Sequence, residues 1–153
     1  MKKLTIAIDC DDAAVDFKLT VFEHLKQAGW DITDLNHSGK KPAMYPEIGY
    51  NLAVRMQQKE FDRGILICGT GIGMSIIANK VEGVYAGLCH DTYSAERLQK
   101  SNNAQVLTMG ARVIGTELAK SIVDAWLGSE FLGGGSLPKV EQMTELEHKS
   151  FTK

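Results

Sequence analysis

Residues 63–69, RGILICG, are apolar at every interior position. Successive side chains of a strand point to opposite faces, so a strand with one face in water alternates apolar and polar residues. A run without alternation is a strand covered on both faces, which is the signature of a parallel sheet with helices above and below it. The rest of the chain fits that plan. LTIAIDC (4–10), DITDLN (31–36), YAGLCH (85–90) and AQVLTMG (104–110) read as further strands, and amphipathic segments near 14–28, 46–58, 73–80, 92–100 and 116–127 lie between or after them. In the first of these segments Val15, Leu19, Phe22 and Leu25 recur at helical spacing, and Gly29 follows as a stop. The expected fold is α/β: a single-domain Rossmann-like three-layer sandwich with a five-stranded parallel sheet and a C-terminal helix. The stretch Gly133-Gly134-Gly135-Ser136-Leu137-Pro138 marks a hinge. It divides a strand–helix domain, 1–132, from a tail, 133–153, whose polar helix near 139–149 is expected to dock on a partner subunit.

A chain of 153 residues buries roughly 70% of its unfolded surface as one domain, enough for a full core. Lys and Arg number 17 against 19 Asp and Glu, with no basic run, so the footprint of nucleic-acid or anionic-membrane binding is missing. No stretch approaches the ~18 apolar residues of a transmembrane span, and the first apolar run is too short for a secretory signal, which points to the cytoplasm. Cys10, Cys68 and Cys89 are odd in number and follow neither C-x-x-C nor zinc-finger spacing. They are expected as reduced thiols, with no metal or cofactor.

Ligands of open α/β sheets bind beyond the carboxyl ends of the strands. There the sequence places Cys10-Asp11-Asp12, a loop with His37, Lys40, Lys41 and Tyr45, the segment Cys68–Ser75, His90-Asp91, and Gly110-Ala111-Arg112. Gly69, Gly71 and Gly73 allow successive backbone N–H groups to turn inward as an anion-binding nest at the start of a helix. The same field favours the thiolate of a cysteine at the strand end, so Cys68 reads either as a base or nucleophile, or as a small buried hydrophobe beside glycines that serve packing. Asp11, Asp12, His90 and Asp91 read either as strand ends and helix caps or as site residues. His37, Lys40 and Lys41 read either as a solvated loop or as phosphate ligands, and Arg112 is better placed to meet an anion. A dinucleotide finger would need a small residue where Met74 stands, and the lysine of a P-loop is missing from GTGIGMS.

GILICGTGIGMSIIANK (64–80), Tyr45-Pro46, NNAQVLTMGARVIG (102–115), ELAKSIVDAWL (117–127) and Gly133-Gly134 resemble the ribose-5-phosphate isomerase B / galactose-6-phosphate isomerase family over nearly the whole chain. The resemblance implies a metal-free aldose–ketose isomerisation of a phosphorylated sugar through a cis-enediolate, in a homodimer or homotetramer with shared active sites. It implies that Cys68 is the base moving a proton between C1 and C2. Gly69, Thr70, Gly71 and Gly73 would form the oxyanion nest, with the Thr70 hydroxyl passing protons between the sugar oxygens and Ser75 closing the motif among the substrate-binding residues. Asp11 and Tyr45 match positions that hold sugar hydroxyls. Asn102 and Arg112 match positions that complete the pocket, commonly from a neighbouring subunit.

Three departures from the family pattern involve four positions. Asp12 stands where the family has a histidine beside the phosphate. Ser101 stands where a histidine opens the furanose ring, and a serine hydroxyl is a poor general acid–base near neutral pH. Gly135 and Lys139 stand where two arginines grip the phosphate, leaving one cation without a bidentate fork. The expectation is a substrate other than ribose 5-phosphate, such as a tetrose 4-phosphate, which needs no ring opening. The alternative is a non-catalytic or half-site subunit of a heteromeric isomerase.

Overall fold

The computed structural model describes residues 3–41 and 43–152. Five strands, β1 (Thr5–Cys10), β2 (Asp31–Asp34), β3 (Arg63–Cys68), β4 (Ala86–Leu88) and β5 (Val106–Gly110), form one sheet in the order β2-β1-β3-β5-β4, parallel throughout. β3 sits at the centre, and its two parities explain its unbroken apolar run. Ile65 and Ile67 face a layer made by α1 (Val15–Gln27), α5 (Thr92–Lys100) and α6 (Thr116–Leu127), where Val21, Leu25, Leu98, Ile122 and Trp126 are buried. Leu66 and Cys68 face the opposite layer, made by α3 (Tyr45–Gln57) and α4 (Ile72–Ala78), which contribute Ile48, Leu52, Met56 and Met74. The three-layer α/β sandwich read from the sequence is the observed fold. Among the described residues no helix is long and apolar enough to cross a membrane.

The strand read over 31–36 stops at Asp34, because the Asp34 carboxylate accepts the Asn36 amide at 2.9 Å and Asn36 turns to φ 44°. The strand read over 85–90 shrinks to three residues. At its start side chains replace the ladder: Gln105 Oε1 accepts the Tyr85 amide at 3.0 Å and Asn79 Oδ1 accepts the Ala86 amide at 2.9 Å. A four-residue helix, α2 (His37–Lys40), occupies what read as loop. The glycine stretch contains Gly133 and Gly134 at φ 77° and 58° and leads through a 3-10 turn, Gly134–Ser136, into α7 (Leu137–Phe151). Glu147 fastens α7 to the body of its own chain by accepting the Tyr85 hydroxyl at 2.8 Å and the Gly83 amide at 3.1 Å.

β1 and β3 are neighbours, and the crossovers that leave them run to opposite faces of the sheet, so a crevice opens between their carboxyl ends. A buried ionic cluster supports its β1 side. Asp9, with no exposed surface, accepts the Cys10 amide at 2.8 Å and the His37 amide at 3.1 Å, while Lys18, almost as buried, pairs with Asp34 at 2.8 Å. Burial pushes the Asp9 carboxyl above the ordinary carboxylate range, and the two amides and Lys18 oppose that shift.

Removing the cation leaves buried carboxylate charge uncompensated, so Lys18→Met is expected to lose about 3 kcal/mol of stability at neutral pH. The loss of Lys18 raises the Asp9 pKa further, so the deficit present at neutral pH shrinks as the pH falls and Asp9 takes up its proton. Urea unfolding of both proteins across the acid range measures this; a deficit that is absent, or that grows toward acid pH, contradicts it.

Candidate active site

At the switch point the strand ends and the loops after them enclose a cleft of about 390 Å³. Asp11 enters from the end of β1, Tyr45 from the first turn of α3, and Arg112 from the turn after β5. Cys68, Gly69, Thr70, Ile72, Gly73 and Ile76 line it from β3 through α4. A groove of the same size between α1 and α6, lined by Leu19, His24 and Lys120, lies on the outer surface of these helices and gathers no strand-end chemistry. A wider hollow of about 540 Å³ beside Val140 and Thr144 follows α7.

The cysteine loop holds its shape because two backbones touch. Gly71 takes φ 77°, and a Cβ there would stand 2.7 Å from the Met109 carbonyl carbon; a Cβ on Gly110 would stand 2.6 Å from the Thr70 carbonyl carbon. Neither position admits a side chain. Around this contact the Ala111 amide donates to the Cys68 carbonyl at 2.9 Å, the Arg112 amide to the Gly69 carbonyl at 3.0 Å, and the Thr108 hydroxyl to the Gly71 carbonyl at 2.9 Å.

Within the loop, the Gly71 N–H donates to Cys68 Sγ at 3.1 Å. Cys68, although only 5% exposed, belongs to the cleft wall. The other two thiols differ. Cys10 and Cys89 pack against the α1–α5–α6 layer, and burial pushes their thiols up to about 12 and about 11, so both stay protonated at neutral pH. Thr70 Oγ1 accepts the Ile72 N–H at 3.3 Å. Asp11 Oδ1 accepts the Ala13 amide at 3.1 Å, so this side chain is both a cap and a cleft residue. Burial pushes the Asp11 carboxyl up and the charge of Asp12 adds to this, whereas the Ala13 amide and Arg112 pull it down. The Tyr45 ring lies where a side chain on Gly73 would be. His37 Nε2 and Lys41 Nζ meet Glu47 Oε1 at 3.4 and 2.6 Å and hold its carboxyl low, which ties α2 to the first turn of α3 beside Tyr45. Among the described residues no group of three or more His, Cys, Asp or Glu side chains is placed to hold a metal ion.

The structure therefore brings together Asp11, Tyr45, Cys68, Gly69, Thr70, Gly73 and Arg112, with Gly71 beneath them. Arg112, expected from a neighbouring subunit, lines the cleft of its own chain. Asp12 opens the 3-10 turn after Asp11 and faces solvent, and Ser75 is half-buried on α4 outside the lining. Ser101 and Asn102 lie elsewhere: α5 carries the chain back to the amino end of β5, so they follow α5 at the opposite edge of the sheet, a strand length of roughly 17 Å away. Lys139 is exposed on α7, outside the cleft. Sequence reasoning did not single out Ile72 or Ile76. The available signal was IGMSIIA, an apolar-rich helix whose 72 and 76 positions fall away from the buried Met74 and Ala78. Asp9 was also passed over.

A sequence model of the ribose/galactose isomerase family matches residues 6–143. The chain is similar to the D-erythrulose-4-phosphate isomerase of Pectobacterium atrosepticum, at 55% identity over 148 residues, covering 95% of this chain and 97% of that one. It is similar to the ribose-5-P isomerase B of Listeria innocua at 46% identity, covering 96% and 99% of the two chains. Among solved structures, the ribose-5-phosphate isomerase B of Clostridium thermocellum superposes with a TM-score of 0.90 at 39% identity, covering 96% of this chain and 99% of that one.

Because the Gly110 Cα rests on the Thr70 backbone, Gly110→Ala is expected to cost about 1–3 kcal/mol of stability and to displace the loop enough to remove most activity. Gly115→Ala, with open space around it and φ −83°, is expected to change stability by less than about 1 kcal/mol and to leave activity intact. Denaturant unfolding and turnover of the two variants side by side decide it; equal effects would mean that the contact is not what shapes the loop.

Proposed function

The chain belongs to the ribose/galactose isomerase family and is a sugar-phosphate aldose–ketose isomerase, and we propose that it interconverts a four-carbon aldose phosphate and ketose phosphate with Cys68 as the base. The observation that carries the assignment of the base is the Gly71 N–H aimed at Cys68 Sγ at 3.1 Å on the cleft wall. A backbone donor on sulfur favours the thiolate, the form that accepts a proton.

In this reaction Cys68 removes the proton from the carbon beside the carbonyl, and the electrons move onto the carbonyl oxygen. The negative charge of the resulting cis-enediolate falls among the amides of the 69–73 loop, which are held in place before the reaction begins. Thr70 already accepts the Ile72 amide, which leaves its own hydroxyl hydrogen to pass between O1 and O2. Return of the proton from Cys68 to the neighbouring carbon completes the interconversion. Asp11 and Tyr45 hold sugar hydroxyls, and Arg112 supplies positive charge beside the loop.

Substrate length follows from what the cleft lacks. A pentose 5-phosphate has a free O4 and closes to a furanose, which must be opened before the proton can move. A tetrose 4-phosphate carries its phosphate on O4 and stays open, so Ser101 costs it nothing. The D-erythrulose-4-phosphate isomerase at 55% identity supports this choice. Placement of Ser101, Asn102 and Lys139 away from the cleft of their own chain supports a homo-oligomer in which a second copy presents them to it, with the tail 133–153 docking between copies. Asp12 puts a negative charge where the family has a histidine, so the phosphate is held from the other side of the cleft by Arg112 and by Lys139 of the second copy. Phosphorylated substrates, which do not cross a membrane unaided, support a cytoplasmic location.

Proton NMR in D₂O of the purified chain with erythrulose 4-phosphate, erythrose 4-phosphate and ribose 5-phosphate tests this reading. Deuterium is expected at the carbon beside the carbonyl of the tetrose phosphates, slowed roughly 10³-fold in Cys68→Ala. Good conversion of ribose 5-phosphate with none of the tetroses rejects the substrate, and silence on all three points to a heteromeric partner chain. Ser101→His is expected to add ribose 5-phosphate turnover while leaving the tetrose rate within about twofold, since ring opening alone depends on that side chain.

A further inference from the structure

His90 follows β4 and is half-buried, and its neighbour Asp91 is accounted for: the Asp91 carboxylate caps α5 by accepting the Ser94 amide at 2.6 Å. His90 itself does something different. Its Nε2 accepts the Gly110 backbone N–H at 2.9 Å. A backbone amide can only donate, so Nε2 carries the lone pair and the ring hydrogen is on Nδ1; the imidazole in this contact is neutral. Amides of a parallel strand point alternately to its two neighbours. The Ala111 amide goes to Cys68 on the β3 side, and the Gly110 amide points to the β4 side, where the strand has already ended at Leu88. His90 supplies the acceptor that the missing backbone cannot.

We infer that His90 is a positioning residue for the catalytic loop, an inference that rests on the reading of Cys68 as the base. The Gly110 peptide that it holds is the one on which Thr70 lies. The next two residues clamp the carbonyls of Cys68 and Gly69 and then present Arg112 to the cleft. Sideways movement of Gly110 therefore moves the base, the oxyanion amides and the cation together, and displacements of this kind cost catalysis far more than stability. Protonation of the ring would set Nε2–H against the Gly110 N–H and break the contact. Asp91, on the same connection, carries a charge whose field reaches His90; Cys89, with its thiol pushed up to about 11, stays neutral. An active loop thus needs His90 unprotonated.

His90→Leu, which removes the acceptor, and His90→Gln, which keeps an acceptor that does not titrate, separate this role from packing. With a tetrose 4-phosphate as substrate, His90→Leu is expected to lose about 10- to 100-fold in kcat with little change in KM. His90→Gln is expected to restore most of kcat at neutral pH, again with little change in KM. Equal impairment of the two variants overturns the inference even if His90→Leu does not fold. Cys68→Ala in the same assay keeps the two readings apart. Its loss of activity beside a fully active His90→Leu overturns the His90 role alone, whereas full activity of Cys68→Ala overturns the reading of the cleft and this inference with it.

Discussion

The Thr70 peptide lies directly on the Cα of Gly110, closer than any side chain at that position would permit, and the cleft depends on this contact. It lets the segment after β3 fold back over the end of β5, so that two strand ends act as one rigid platform. The left-handed turn at Gly71 then points its N–H at the Cys68 sulfur. Without the close approach the Cys68–Gly73 loop and the turn that carries Arg112 would move independently. Three further backbone or hydroxyl bonds cross the same seam, each of ordinary strength, of about 1 kcal/mol. Their value is geometric: they hold charge-stabilising groups in place before substrate arrives.

The opposite wall is built from side chains. Asp9 is buried without exposed surface, yet it touches the surface loop by receiving the His37 amide, and the side chains of His37 and Lys41 then reach Glu47 on the first turn of α3. The chain of contacts runs from the centre of the sheet to Tyr45. A carboxylate so buried is tolerable only because two amides and the Lys18 ammonium stand around it. One wall is thus fixed by the absence of side chains and the other by a buried ion cluster.

These two constructions differ in how far sequence reveals them. The central strand, the alternation of strands and helices, and the residues just past each strand end are local patterns, and Asp11, Tyr45, the Cys68–Gly73 loop and Arg112 converge where the switch-point rule puts them. The short helix α2 was not legible, because its first amide is satisfied by Asp9, 28 positions earlier in the chain. The shortening of β2 and β4 likewise comes from side chains replacing ladder bonds: Asp34 at the end of one, Gln105 and Asn79 at the start of the other. Ser101, Asn102 and Lys139 were named through resemblance to a family, and the crossover α5 places the first two at the other end of the sheet. A motif match carries residue identity but not the place in space from which a residue would act.

The three cysteines show how environment rather than residue type assigns chemistry. Cys10 and Cys68 both close a strand at the carboxyl edge of the sheet, one strand apart, and Cys89 follows a third. Parity decides between the first two. Cys10 turns toward the α1–α5–α6 layer, where burial raises its thiol to about 12, and Cys89 shares that layer. Cys68 turns to the opposite face, where the next four residues are rich in glycine and the chain reverses over its own strand end. Its sulfur gains a backbone donor and a place on the cleft wall from the same turn. A shift of one residue in β3 would exchange the faces, burying Cys68 among α1, α5 and α6 and taking the base of the proposed reaction away from its substrate. The unbroken apolar run of β3 tolerates either face, so the register must be held from outside the strand. The glycine contact with β5 supplies that constraint, for only in the observed register does Gly110 stand opposite Cys68 with Thr70 lying across it.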